Sequence, residues 1–265
     1  MQTPEKNSLP CQPRVVALLL NELPEQAGHV PSLRRLNQLF AADPVLAAWL
    51  LGHANSGVYQ LTGMITSVAQ AIALLGVPQL RILVRKAQTS LTGRVQGMDR
   101  LAALSQASAR LARSLANLLA LNAGTAHAAG LLHGLGQMAL HQRQPQQMQR
   151  LTQMLPVWDP RRPLLEQQEL GYMSNQTSAI LLRDWGVPEA VWKLIRDMEQ
   201  PLDPADFEPM TAVLHLAVWV QRARISGWSQ RDMVAGFPLE VAAAVGLDMD
   251  VVLQQEAPDW SRSIY

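Results

Sequence analysis

The sequence predicts an all-α protein, and three observations predict it. Apolar residues recur at three-to-four spacing in segment after segment, helix start and stop signals bracket those segments, and no stretch alternates apolar with polar residues as a half-buried strand would. With 265 residues, 48% of them hydrophobic, the chain is long enough to bury a sizeable core without disulfides or metal staples. The elements divide into an N-terminal helical bundle over residues 13–96 and a second helical core over 97–227, followed by short helices over 228–265.

Residues 1–12 are polar, carry prolines and lack periodicity, which predicts a mobile tail that includes Cys11. Pro13 suits the first position of a helix running to about Asn21, because its missing amide hydrogen would have no partner there anyway. LPEQAGHV breaks that helix. Pro31 restarts one with Leu33, Leu36, Leu39 and Phe40 on a single face, a spacing that calls for burial against another helix. Asp43 before Pro44 starts a third over residues 45–54. Asn55, Ser56 and Gly57 then form its exit, since Asn and Gly tolerate left-handed backbone. Ser67 and Gln70 have capping-box spacing for SVAQAIALLG, Gly76 ends that helix, and Pro78 opens another carrying Arg81, Arg85 and Lys86. The glycines of TGRVQGMD read as a hinge between the two halves.

Asp99 is placed to cap the longest helix, residues 100–121, whose stripe is Leu101, Leu104, Ala107, Leu111 and Leu115 and whose end is Asn122 to Gly124. Residues 128–140, AAGLLHGLGQMAL, read as the next helix, an apolar segment with a single histidine, His133, near its centre. Gly130, Gly134 and Gly136 weaken it by up to about 1 kcal/mol each, which close approach to neighbouring helices would offset. Pro145 starts QQMQRLTQML, and Pro156, Pro160 and Pro163 punctuate a loop around Trp158. Glu166 and Glu169 follow, three apart, and read as a solvated face. Ser174 caps SNQTSAILLRDWG, Gly186 ends it, and Pro188 opens EAVWKLIRDMEQ, with Trp185 and Trp192 packing into the core from either side of the turn. The helix of TAVLHLAVWVQRARISG carries His215, and two short helices, PLEVAAAVGL and DVVLQQEA, close the chain before Trp260.

Composition narrows the function classes. The balance of 22 Lys and Arg against 21 Asp and Glu gives no global field toward nucleic acid or an anionic membrane. The single cysteine allows neither an internal disulfide nor a cysteine-based zinc cluster, and a reducing cytoplasm fits it. The apolar run VVALLL lacks a signal peptide's cleavage arrangement, and no uninterrupted apolar run approaches the roughly 20 residues of a membrane span. A soluble cytoplasmic protein is expected.

The pieces ANSGVY, ITSVAQAIALLG, AGLLHGLGQ and DWGVPEAV stand in an order and spacing that resembles the HDOD proteins, a bacterial signalling family named as HD-related output domains. The resemblance runs from about Pro31 to about Arg224. It implies that the second half is a degenerate HD-like core, related to phosphohydrolases whose metal is held by a histidine from one helix, an adjacent His-Asp pair from the next and an aspartate from a later one. Here only His133 matches. The paired aspartate is Gly134, the first histidine falls at or next to Leu104, and the late aspartate falls at Val218. Leucine, glycine and valine offer no donor to a divalent ion. Histidines that many members carry further on are replaced by Met173 and Ser174 and by Asp197, Met198 and Glu199. The expectation is therefore no catalysis, no metal and no cofactor.

Candidate cleft or interaction residues are His133, Asn55, Ser56, Arg81, Arg85 and Trp185. His133 reads as a relic that packs and hydrogen-bonds, with a meeting of His133 and His215 too weak a donor set for a metal. The resemblance makes Asn55 a candidate for organising a cleft wall; by its own chemistry it is a cap that fixes two helices at an angle. Arg81 and Arg85, one turn apart, either form a solvated face or present charge to a phosphate or an acidic partner. The resemblance implies a regulatory module that binds signalling proteins, such as receiver or cyclic-dinucleotide turnover proteins; no such domain is fused in this sequence. The second reading is a nucleotide sensor or residual phosphohydrolase using the old cleft. Nucleic-acid binding ranks third, for want of a basic stripe laced with aromatics.

Overall fold

Prolines and short polar caps set the helix starts. In the computed structural model, which describes residues 9–23, 31–60, 63–89, 98–203, 205 and 207–255, every regular element among those residues is helical. Pro13 opens α1 (Pro13–Glu22), Ser32 caps α2 (Leu33–Ala42) by accepting from the Arg35 amide, and Asp43 caps α3 (Pro44–Ala54). One Asp43 oxygen accepts from the amides of Val45 at 2.8 Å and Leu46 at 3.1 Å; the other accepts from the amide of Gln12. The tail expected through residue 12 is corrected by this contact. Leu9 and Cys11 are buried in the core, and Gln12 also bonds to Ala42 O at 3.2 Å, so the segment before α1 is ordered by apolar burial and by backbone partners. Burial pushes the Cys11 thiol far above its ordinary range. Leu33, by contrast, lies outside the buried stripe of α2 and is 65% exposed, while Leu36, Leu39 and Phe40 are fully buried.

After a single 3₁₀ turn (Gly57–Tyr59), the reciprocal bonds of Ser67 and Gln70 form the capping box of α4 (Val68–Thr89). Gly76, at φ 66° and ψ 171°, bends α4 into two helices, as the Gly-Val-Pro sequence demands. By length and composition α4 alone among the described helices could cross a membrane, yet it is broken at Gly76 and packs on α1, α2 and α3. The expected hinge falls mostly outside the described residues, and its last two, Met98 and Asp99, already belong to α5 (Met98–Leu118). Asp99 is thus in the first turn and not the cap. The helix also stops three residues early: Ala120 takes a left-handed φ of 54°, and the Leu121 amide returns to Ala116 O at 2.9 Å. Asn122 is thereby released to cap the next helix, accepting from Gly124 and Thr125.

That next element corrects the reading of residues 128–140 as one helix. It is two, α6 (Ala123–Leu132) and α7 (Leu135–Arg143), parted at His133 and Gly134. There follow α8 (Pro145–Met154), α9 (Arg162–Leu170), α10 (Ser174–Asp184), α11 (Glu189–Asp197) and α12 (Pro209–Ile225). Ser174 stands just inside α10, with Met173 at the cap. Gly186, at φ 79°, makes the turn into α11. The tail holds three short helices where two were expected: α13 (Gln230–Gly236), opened by a Ser229–Asp232 capping box and too polar to show apolar periodicity, then α14 (Leu239–Ala244) and α15 (Met249–Gln254).

The largest apolar cluster runs from Leu9 to Val218, drawing on α1 to α7 and on α10, α11 and α12. Trp185 is one of its largest members, 1% exposed and set edge-on to Trp49 at 6.5 Å; Trp192 is only partly buried. A second cluster joins α5 and α12 to α14 and α15, and so seats the C-terminal helices on the core.

Candidate functional site

The break between α6 and α7 is built from glycines and serines. A Cβ on Gly130 would lie 2.6 Å from Ala109 Cα, and one on Gly136 would lie 2.0 Å from Ser174 O, so α6 rides directly on the backbone of α5 and α7 on that of α10. This is the compensation that the glycines' poor helix propensity requires. Breaking a helix also strands polar backbone groups, which must find partners when buried. Ser178 supplies them: its Oγ donates to His133 O at 2.6 Å and accepts from the Gly136 amide at 2.7 Å.

His133 is therefore held at the exit of α6. Its Nδ1 lies 2.7 Å from Gly130 O, and because a carbonyl only accepts, the ring's proton sits on Nδ1. Burial, and next the positive charge of Arg222, push the imidazole down to about 4, so it is neutral at pH 7. The cation that acts on His133 comes from α12, a residue that sequence reasoning did not single out. Arg222 Nη1 donates to Glu199 Oε1 at 2.8 Å, with the two side chains 9% and 10% exposed. One face of α12 thus grips the end of α11 twice, since His215, seven residues before Arg222, donates from Nδ1 to Met198 O at 2.8 Å. Burial lowers the His215 pKa despite the nearby Glu199 carboxylate. The Arg222–Glu199 pair lies in the electrostatic neighbourhood of both histidines, and Arg222 also helps lower the carboxyl of buried Asp159, after Arg161.

The positions matched to HD ligands do not fit a metal. Leu104 and Val218 are 2% and 1% exposed, and a Cβ at Gly134 would meet Ser105 Oγ at 3.0 Å. Among the described residues, no three His, Cys, Asp or Glu side chains are grouped to hold an ion. Borderline divalent cations want several imidazole and carboxylate donors converging, and leucine and valine stand where two of these belong.

Glu166 and Glu169, read as a shared solvated face, part company. Glu169 is exposed and 3.9 Å from Arg150. Glu166 is wholly buried: its carboxylate accepts from Arg162 Nε at 2.9 Å, from the Ser174 amide at 2.8 Å and from Gln137 Nε2, which also donates to Ser174 Oγ. The reason is position on α9, whose inner turn faces α7 and α10. The i,i+4 spacing of Arg162 and Glu166 was the available signal for an ion pair, but spacing does not reveal which side of the helix is inside.

The remaining candidates are scattered. Asn55 is buried at the end of α3, where Nδ2 donates to Leu51 O and Ile65 O, each at 2.8 Å, and Oδ1 accepts from the Ile65 amide at 3.1 Å. It clasps the segment entering α4 onto α3. Ser56, half-buried, caps the 3₁₀ turn by backbone alone. Arg81 Nε donates to Leu23 O at 3.0 Å, at the end of α1, and Arg85 is exposed on α4. Trp185 is a core residue. Of the six, His133 alone belongs with Arg222 and Glu199.

The family model described as HDOD domain matches residues 9–201. Among solved structures, the chain is similar to the MmoQ response regulator of Methylococcus capsulatus str. Bath, at 24% identity and a TM-score of 0.69, covering 94% of this chain and 99% of that one. It is also similar to a virulence factor of Campylobacter jejuni subsp. jejuni, at 19% identity and a TM-score of 0.67, covering 97% and 95%. No curated protein is matched. At these identities the structural likeness concerns the fold.

Proposed function

Because this chain belongs to the HDOD family, we propose that it is a non-catalytic cytoplasmic signalling module that acts by contact with other proteins. The observation that carries the reading is the state of the old metal cleft. One neutral imidazole remains, its Nδ1–H donating to Gly130 O, and the carboxylate that acts on it, Glu199, is paired with Arg222. Leu104 and Val218 are packed in the core, and Ser105 crowds the Gly134 position. Such a donor set supports neither Lewis-acid polarisation of a phosphate nor a metal-bound hydroxide nucleophile. The name response regulator belongs to MmoQ; the signalling half of the proposal extends that role to this chain, with receiver or cyclic-dinucleotide turnover proteins as candidate partners.

Calorimetric titration with manganese, magnesium and nickel is expected to give no saturable binding, and a phosphodiesterase assay with added manganese no turnover. Metal binding or hydrolysis that disappears in His133→Ala would overturn the non-catalytic reading.

A second reading, a phosphate-bearing nucleotide held in the cleft, is favoured by one observation. Arg222 Nε is buried and bonds to no other described residue, and arginine binds phosphate without a metal. Titration with mono-, di- and cyclic nucleotides separates the two, since saturable binding weakened in Arg222→Gln supports this reading.

A further inference from the structure

Two carboxylates share the neighbourhood of Arg222, and they are held differently. Asp159 comes from the α8–α9 connection. Ser226, one turn after Arg222 on α12, donates from Oγ to Trp158 O at 3.1 Å, which brings the next residue, Asp159, to the same face. The Asp159 carboxylate is buried and accepts from the amide, Nε and Nη2 of Arg161, each at 2.9 Å. Glu199 comes from the end of α11 and accepts one bond, from Arg222 Nη1 at 2.8 Å. That bond uses a single nitrogen of the guanidinium. Arg222 Nε is buried and bonds to no other described residue, so the fork's capacity for a bidentate partner is unused.

A phosphate is such a partner, but a phosphate and a carboxylate on one buried guanidinium repel each other. Of the two nearby acids, the one with a single bond gives way. From this arrangement we infer that the Arg222–Glu199 pair is a ligand-operated latch: a phosphate-bearing ligand in the cleft takes the guanidinium from Glu199 and so unfastens the end of α11 from α12. The latch presupposes the nucleotide reading above and adds its regulation. The neighbouring contacts confine the movement. On one side Met198 is buried and its carbonyl is held by His215 Nδ1 at 2.8 Å, and Asn175 Nδ2 donates to Arg196 O at 2.8 Å. On the other side Pro201 is buried. Between these two pivots stand Glu199 and the exposed Gln200, whose amide closes a turn onto Asp197 O at 2.9 Å. The released carboxylate turns to solvent there, a change of surface charge that a partner protein can read.

Calorimetry with inorganic pyrophosphate, joined to amide hydrogen exchange, tests the latch. A pair closed about nine-tenths of the time lowers apparent affinity about tenfold, so Glu199→Gln is expected to bind pyrophosphate at least about tenfold more tightly than wild type, and Arg222→Gln not at all. In the unsubstituted protein, saturating pyrophosphate speeds exchange of the Gln200 amide and leaves those of Leu194 and Ile195 unchanged, a readout that needs no variant. Equal affinities of wild type and Glu199→Gln, or Gln200 exchange that binding does not alter, overturn the latch, while Arg222-dependent binding still upholds the nucleotide reading. Absence of Arg222-dependent binding in both proteins overturns that reading and the latch with it.

Discussion

Replacing Glu166 by alanine tests how the interior between α7, α9 and α10 is held. Its carboxylate is wholly buried and serves three donors, the Arg162 guanidinium, the Ser174 amide and the Gln137 side chain. Arg162 is itself buried, with a side chain 1% exposed, so the variant leaves a cation without its counter-charge in the core. Removing one partner of a buried pair costs about 3–5 kcal/mol, most of it the penalty on the charge left behind. The stranded amide adds to this, so a loss of roughly 4–5 kcal/mol is expected, a large share of a typical domain's total stability. The internal control is Glu169→Ala, three residues away, where an exposed pair at 3.9 Å contributes at most about 0.5 kcal/mol. Urea unfolding followed by circular dichroism measures both. The double variant Arg162→Met/Glu166→Leu removes both charges and should recover much of the loss. If Glu166→Ala and Glu169→Ala unfold within about 1 kcal/mol of each other, the buried network contributes nothing and the reasoning fails.

Three other outcomes follow from the same structure. His133 has a folded pKa of about 4 against 6.5 for the free side chain, so between those values the unfolded chain binds more protons than the folded one and stability falls as pH is lowered through the window. In urea melts at pH 4.5–6.5, His133→Gln should flatten the slope by up to about 1.4 kcal/mol per pH unit, and an NMR titration that places the His133 midpoint near 6.5 would contradict the burial argument. Asn55→Ala removes three hydrogen bonds at the α3 exit, and an expected loss of about 2 kcal/mol should come with faster amide exchange at Ile65. Gly136→Ala places a Cβ 2.0 Å from Ser174 O and should destabilise by more than about 3 kcal/mol, whereas Gly57→Ala meets nothing within 4 Å and should be near neutral by thermal melting.

Much of the fold was legible along the chain because its signals are local. Pro13, Asp43, Ser67, Gly76 and Gly186 each act on their own turn, and the structure uses each as its chemistry predicts. Misses occurred where a second element intervened. Residues 128–140 have continuous helical periodicity, yet the helix parts at His133 because Ser178, 45 residues on in sequence, satisfies the freed carbonyl. The order of residues 9–12 depends on Asp43 and could not be read from a polar, proline-bearing stretch.

The candidate site divides the same way. By itself the sequence determined the helical class, the family resemblance and the lack of ligand chemistry at Leu104, Gly134 and Val218, since side-chain identity alone says what can donate to a metal. Only the tertiary structure decided that Glu166 is inside while Glu169 is outside, and that the charges beside His133 are Arg222 and Glu199. Burial and electrostatic proximity between distant residues depend on how helices pack, and a one-dimensional pattern fixes the period of a helix but not the neighbour its face will meet.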